Sequence, residues 1–378
     1  MEIRPDILEP AVMYELLAMA VEQTADSIVV TDPKGTIIFV NPGFEVTTGY
    51  TSKEAIGQTP KLLKSGHHSE EFYKDLWGRI RSGQHFRGTI LNKKRNGSLY
   101  WSEQTITPIK DKQGQITHFV SVLKDITDLI ERERLEGELH AAADIQLSIL
   151  PGILPKLPGI DICARLTPAR YVSGDFYDVF KIGKNKVGVL IGDVSDKGIP
   201  AALFAARVHA LITAEMDSAS TPGEVLQRVN VHINQYKRST QFVTVLYGIL
   251  DYKTREFTYA RAGHEPPLLL TPDGRVQRLP HGTGMFLGIS EQITLDEKSI
   301  SLPEGATLLL FTDGMTDCRN PQGQPFNLER IQLTLSNLVG LSAREVCDGL
   351  MGALKGYQQN AQMDDDVTLV AVHVLGGK

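Results

Sequence analysis

The chain has 378 residues, 42% hydrophobic and 22% charged, with a formal net charge of −6. Such values describe a globular chain of two or three domains with substantial cores, and they argue against general binding to nucleic acid or an anionic membrane, which depends on excess Lys and Arg. No apolar run approaches the ~20 residues of a membrane span. Cys163, Cys318 and Cys347 are odd in number and lack paired spacing, against a disulfide scaffold or a thiolate zinc site. With Glu2, Asp6 and Glu9 where a leader would be basic, the expected compartment is the cytoplasm.

Residues 12–125 read as short strands joined by turns, with helices between. Residues 27–31 and 36–40 flank Asp32-Pro33-Lys34-Gly35 and predict a hairpin. Arg95-Asn96-Gly97 separates two further strands, 89–92 and 98–106, and Lys112-Gln113-Gly114 leads into another at 115–122, which makes an antiparallel sheet. Phe72, Tyr73, Leu76, Trp77 and Ile80 recur at helical spacing within Glu70 to Arg81, so one helix face covers that sheet.

This order, with Val40-Asn41-Pro42-Gly43-Phe44, Thr48-Gly49-Tyr50, Gly57, Asn96-Gly97-Ser98-Leu99-Tyr100-Trp101 and Asp125-Ile126-Thr127, resembles a PAS sensor domain. The resemblance implies an antiparallel sheet with flanking helices and a ligand that differs among such domains: haem, flavin, a small metabolite, or none. His67, His68 and His85 read either as haem ligands or, more commonly for loop histidines, as solvated side chains. The stretch from Leu62 through His67 to Trp101 is similar to PAS domains that bind FAD, and the same residues also build a plain PAS core. The absence of cysteine before Cys163 excludes cysteine–flavin photochemistry.

Residues 126–152 form the expected linker. Ile126, Leu129, Ile130, Leu135, Leu139, Ala142, Ile145 and Ile149 fall mostly at three- and four-residue steps among charged residues, a helix with an apolar seam. The seam either packs on its own domain or pairs two protomers as a parallel coiled coil, and the homodimer is the expectation. Gly137 weakens the helix by about 1 kcal/mol relative to Ala, which suits a joint that changes state. Pro151 and Pro155 stop it.

Over residues 153–378, strands are predicted at 186–192, 241–251, 256–262, 306–311 and 367–374, and helices at 201–215, 222–236 and 343–357. Strands that come in pairs rather than alternating strictly with helices predict a layered α+β fold, not a parallel Rossmann sheet.

Four acidic motifs punctuate this half: Ser173-Gly174-Asp175, Gly192-Asp193-Val194-Ser195-Asp196-Lys197-Gly198, Thr312-Asp313-Gly314 and Asp364-Asp365-Asp366. Each stands at a strand end or turn, so Asp175, Asp193, Asp313 and Asp365 can converge at one edge of the sheets. Two carboxylates ~4 Å apart repel by about 4 kcal/mol in a partly buried site, so the cluster needs a cation. Oxygen ligands without a Cys or His cluster point to Mg²⁺ or Mn²⁺ rather than zinc, and a pair of such ions suits phosphate ester hydrolysis.

Together with Ala143-Asp144-Ile145-Gln146, Leu150-Pro151, Gly174-Asp175-Phe176-Tyr177-Asp178, Lys197-Gly198-Ile199-Pro200-Ala201-Ala202, Ala262-Gly263-His264 and Asp365-Asp366-Val367-Thr368-Leu369, these motifs resemble the metal-dependent protein phosphatases (PPM, the protein phosphatase 2C superfamily), in the bacterial branch of sporulation protein E and the stress-response phosphatases. The resemblance implies an αββα sandwich, two metal ions bridged by Asp193, a contribution from the Val194 carbonyl, and completion of the set by Asp175, Asp313 and Asp365. Asp178, Asp364 and Asp366 stand either beside the ligands or as turn and cap residues, and Asp317 reads as solvated. His264 is either a phosphate-orienting or proton-donating group or, more commonly, a turn histidine; Lys197 either contacts phosphate or is a solvated loop lysine. Ser173, Asp196 and Glu265 stand where Gly, Gly and Asn are usual in that branch.

The expectation is therefore a PAS-controlled metal-dependent phosphatase acting on phosphoserine or phosphothreonine. The resemblance suggests a phosphorylated anti-sigma-factor antagonist as substrate, whose dephosphorylation frees a sigma factor. The competing readings are a PPM fold that has lost turnover and serves as a scaffold, a cyclic-nucleotide phosphodiesterase, which lacks its His-Asp pairing here, and a PAS sensor kinase, which lacks a Gly-rich nucleotide box.

Overall fold

The computed structural model describes residues 9–216, 220–235, 240–280 and 282–376. It divides into two compact units, one ending at Gly137 and the other starting at Glu138.

The first unit runs α1 (Pro10–Gln23), β1 (Ser27–Thr31), β2 (Ile37–Val40), α2 (Pro42–Thr48), α3 (Ser52–Ala55), a 3-10 turn (Pro60–Leu63), α4 (Glu70–Arg81), β3 (Phe86–Lys93), β4 (Leu99–Lys110) and β5 (Ile116–Asp125). Its five strands form one antiparallel sheet in the order β2-β1-β5-β4-β3. Local chemistry sets the helix starts. Asn41 Oδ1 accepts from Phe44 N at 3.0 Å and from Ile28 N at 2.8 Å, so one side chain caps α2 and ties it to β1; Ser69 caps α4 by accepting from Phe72 N at 3.2 Å. As its spacing predicts, α4 buries Leu76 and Ile80 against Phe86, Ile90, Ile106 and Phe119 of the sheet.

The Asp125-Ile126-Thr127 handover is pinned to that sheet. Thr127 Oγ1 donates to Asp125 Oδ1 at 2.6 Å and accepts from Trp101 N at 2.9 Å, while Ile126 N donates to the Trp101 carbonyl at 2.9 Å. From there α5 (Thr127–Ile149) runs across the division at Gly137, with Leu129, Leu135 and Ile145 exposed.

The second unit contains β6 (Ile160–Thr167), β7 (Phe176–Ile182), β8 (Lys186–Val194), α6 (Ile199–Glu215), α7 (Pro222–Gln235), β9 (Val243–Asp251), β10 (Glu256–Ala262), β11 (Leu268–Leu270), β12 (Val276–Arg278), β13 (Glu297–Ser301), β14 (Thr307–Phe311), α8 (Gly314–Asp317), α9 (Asn327–Ser336), α10 (Ala343–Gln358) and β15 (Val367–Val374). Two five-stranded antiparallel sheets result, β13-β10-β9-β8-β7 and β12-β11-β14-β15-β6. Period-two alternation explains the layers. Val187, Val189 and Ile191 of β8 meet Leu308, Leu310, Val370 and Val372 between the sheets, whereas Leu190 and Val194 of the same strand face Phe204, Ala205, Val208 and Ile212 of α6. On the far side, Leu309, Phe311, Leu369 and Ala371 pack against Val346, Cys347 and Leu350 of α10. The order is helix, sheet, sheet, helix. The helix predicted to reach residue 236 is described only to Gln235; Tyr236 lies outside the described residues.

Candidate metal centre

The site is built where the two sheets of the second unit meet at one end. The register that pairs Phe176 with Gly192 carries Asp175, just before β7, beside Asp193 near the end of β8. From the other sheet, Phe311 pairs with Leu369 and Thr312 N donates to the Thr368 carbonyl at 3.0 Å, which sets Asp313 after β14 alongside Asp365 before β15. Two hydroxyls join the sheets: Thr312 Oγ1 and Thr368 Oγ1 each donate to Asp175 Oδ2 at 2.7 Å.

Asp366 holds the loop that carries Asp175. Its Oδ1 accepts from Ala169 N at 2.8 Å and its Oδ2 from Gly174 N at 2.7 Å. Close loop approach also explains two glycines. A Cβ on Gly314 would stand 1.9 Å from the Asp366 carbonyl oxygen, and one on Gly174 would stand 3.3 Å from the Val194 carbonyl oxygen. The first admits no side chain without moving the backbone, so the Thr312-Asp313-Gly314 turn packs on the Asp365-Asp366 turn only as glycine.

The electrostatics identify one cluster. Burial, then the field of Asp313 and Asp365, pushes Asp193 up to about 8; burial, then Asp193, holds Asp175 well above the usual carboxylate range; and partial loss of hydration, then Asp365, pushes Asp313, which keeps an exposed face, up to about 6. Each group resists ionisation first because burial strips its carboxylate of water and then because its neighbours are also acids. As the side chains stand, no three or more His, Cys, Asp or Glu groups among the described residues are gathered tightly enough to hold an ion. Lys197 is paired with one of these acids: its Nζ lies 3.0 Å from Asp365 Oδ2 and also bonds the Asp364 carbonyl. The donor set, carboxylates and carbonyls on rigid strand ends with excess negative charge, fits hard dications.

The remaining candidates divide. Asp178 is engaged away from the cluster, its Oδ2 2.9 Å from His209 Nε2 on α6 and its Oδ1 accepting from Val179 N at 2.7 Å. His264 is buried, its Nδ1 2.8 Å from Thr244 Oγ1, and burial drives its pKa down to about 3 against a smaller opposing pull from the Phe311 backbone. Thr244 is the ladder partner of Asp193, so a neutral His264 buttresses the strand beside the cluster and has no proton to give near neutrality. Asp317, exposed on α8, adds to the field on Asp313. Asp196 has φ 71, a left-handed conformation that explains why glycine is usual there. Glu265 faces Arg278 at 3.4 Å.

Three residues escape a reading of single positions. Thr312 and Thr368 bear on Asp175 through hydroxyls, and the available signal was a polar residue closing or entering an otherwise apolar strand. Gln146 is the third: its side-chain amide accepts from Ser173 N at 2.9 Å and donates to the Ser173 carbonyl, while Ser173 Oγ accepts from Asp175 N at 3.0 Å. In the first unit, His67 and His85 are exposed. His68 accepts from Leu91 N at 2.8 Å through Nε2 and stacks on Phe72 at 4.6 Å, which engages the nitrogen an iron ligand would offer. Core-facing polar groups of the sheet pair with each other, Asn92 with Ser102 at 2.9 Å and Gln104 with Ser121 at 2.7 Å.

Two antiparallel sheets sandwiched by helices, with clustered aspartates at one end, define the protein phosphatase 2C-like class, here joined to a PAS domain that matches over residues 25–128. Residues 183–375 match the family described as Stage II sporulation protein E (SpoIIE), and the chain belongs to that family. It is 31% identical to Protein IcfG of Synechocystis sp. over 288 residues, 68% of this chain and 45% of IcfG. It is 30% identical to Phosphoserine phosphatase RsbU of Bacillus subtilis over 243 residues, 64% of this chain and 71% of RsbU. The chain thus spans less than half of the first relative and about seven-tenths of the second. Among solved structures, the SiaA-PP2C domain of Pseudomonas aeruginosa superposes with a TM-score of 0.58 at 21% identity, covering 64% of this chain and 98% of that domain, which establishes the shared fold. No helix among the described residues is long and apolar enough to cross a membrane.

Proposed function

We propose that this chain is a metal-dependent protein serine/threonine phosphatase whose PAS domain sets its activity through α5. In this reading Asp193, with Asp175, Asp313, Asp365 and the Val194 carbonyl, would hold two Mn²⁺ or Mg²⁺ ions. When bound, the ions supply an activated water and neutralise phosphate charge. The chain's own residues do the rest. Thr312 and Thr368 fix one oxygen of Asp175, Asp366 and Gln146 hold its loop, and Gly314 lets the Asp313 turn close on the Asp365 turn.

The observation that carries this reading is the clustering of Asp175, Asp193, Asp313 and Asp365 where the two sheets end, with burial first and neighbouring carboxylates second holding Asp175, Asp193 and Asp313 above the usual carboxylate range, so that the natural complement of the site is cationic. The likeness to RsbU, a phosphoserine phosphatase, supports phosphoserine as the group hydrolysed, and this reading places it on a protein. The resemblance to stress-response phosphatases supports an anti-sigma-factor antagonist as that protein. The homodimer is retained in this reading as the expectation from the apolar positions of the linker, with Leu129, Leu135 and Ile145 of α5 exposed, and the expected compartment is the cytoplasm. Asp178, His264 and Lys197 take no part in ligation in this reading. The full chain is expected to hydrolyse a phosphoserine peptide with Mn²⁺ and to lose all turnover in EDTA; turnover that survives EDTA, or none with either ion, rejects the proposal.

A further inference from the structure

We propose that Lys197 is an exchangeable counter-ion of the carboxylate cluster. It pairs with Asp365 while the outer part of the cluster lacks a dication, and it turns to the phosphoryl group of a substrate once the dication is there. This rests on the phosphatase reading above and adds a role for a residue outside the ligand set.

Lys197 and its acidic partners share one cavity. The Lys197 ammonium is 3.0 Å from Asp365 Oδ2 and bonds the Asp364 carbonyl. The pair is solvent-reached, with side chains 39% and 37% exposed, so breaking it costs little. The cavity, of about 190 Å³, is lined by Lys197, Asp364 and Asp365 together with Gly314, Asp317 and Arg319. It has room for several waters, hence for a phosphoryl-sized group. Its wall is acidic, with Asp317, Asp364 and Asp365 against the cations Lys197 and Arg319, and the Arg319 guanidinium is tied by Nη1 to the Gly323 carbonyl at 2.7 Å. A phosphate dianion entering here needs a mobile cation.

Charge balance gives the order of events. Four aspartates carry four negative charges, which two dications cancel; an incoming phosphate then adds two that nothing else in the cluster offsets. A dication on Asp365 takes over the ammonium's role there, and the flexible four-carbon stem of lysine lets the released charge reach the phosphate. Lys197 therefore competes with metal at Asp365 and helps substrate in the cavity that both residues line.

The test is Mn²⁺ calorimetry on metal-free full chain, parent against Lys197→Met, followed by calorimetry of inorganic phosphate into the Mn²⁺-loaded proteins and inhibition of p-nitrophenyl phosphate hydrolysis by phosphate. The expected result is Mn²⁺ binding about 3–10-fold tighter in the variant and phosphate binding about tenfold weaker, with Lys197→Arg recovering part of the phosphate affinity. Unchanged or weaker Mn²⁺ binding in Lys197→Met overturns the exchange, and unchanged phosphate binding overturns the substrate contact. A parent that binds Mn²⁺ and phosphate but hydrolyses nothing rejects the phosphatase reading while both calorimetric comparisons still decide the role of Lys197; a parent that takes up no Mn²⁺ overturns both.

Discussion

Gln146, on the last turns of α5, pairs through both ends of its side-chain amide with the backbone of Ser173, accepting from the N–H at 2.9 Å and donating to the carbonyl. Ser173 Oγ in turn accepts from Asp175 N at 3.0 Å. The helix that follows the PAS domain is thus fastened two residues ahead of a proposed metal ligand. Removing the amide leaves a buried backbone N–H and carbonyl without partners, at about 1–3 kcal/mol. Gln146→Ala is expected to lower the melting temperature and weaken Mn²⁺ binding about tenfold, read by thermal unfolding and calorimetry on the same preparation. A variant that loses stability but keeps parental Mn²⁺ affinity would confine Gln146 to a structural role.

Thr312→Val and Thr368→Val keep shape and remove one donor each from Asp175 Oδ2. Groups that orient a ligating carboxylate are typically worth 10–100-fold in metal affinity. Each single variant is expected to raise the Mn²⁺ concentration for half-maximal hydrolysis about tenfold, and the double variant to do more. A double variant with the parental Mn²⁺ requirement would show that Asp175 needs no such orientation.

Metal-free stability carries a pH signature. Asp193 has a folded pKa of about 8 against 3.8 in the ordinary state, chiefly through burial and then through Asp313 and Asp365. Between those values the folded chain binds more protons than the unfolded one, so stability falls as pH rises from about 4 to about 8 and then levels. Asp193→Asn removes the Asp193 share of that dependence, leaving the fall set by Asp175 and Asp313. In EDTA at pH 8 the variant is expected to melt higher than the parent, by about 2–4 °C for each kcal/mol relieved, with the gap closing by pH 5; with Mn²⁺ present the order reverses. A variant that melts lower than the parent in EDTA at pH 8 would contradict the buried-charge account.

Much of this architecture was legible because its core strands are unbroken apolar runs. β8, β10 and β15 announce themselves by composition, and α4 by its spacing of Leu76 and Ile80. β7 was less visible, since Phe176–Ile182 begins inside an acidic motif and mixes Asp178 and Lys181 with apolar residues. Three-residue strands such as β11 and β12 offer too little periodicity to read. For the site, the four aspartates stood out by recurring beside strand ends, but what orients them did not. Thr312 and Thr368 reach Asp175 across 137 and 193 residues of chain, and Gln146 meets Ser173 only when the loop closes on α5. Asp178 was left open between a place beside the ligands and a turn or cap role, because its position in a motif beside Asp175 hides its pairing with His209 on α6.

Calorimetric titration of Mn²⁺ into the metal-free chain, beside Asp193→Asn, tests the central claim most directly. Two bound ions per chain are predicted for the parent, with loss of at least one site and of phosphoserine hydrolysis in the variant. No uptake by the parent, or equal uptake and equal turnover by the variant, would contradict it.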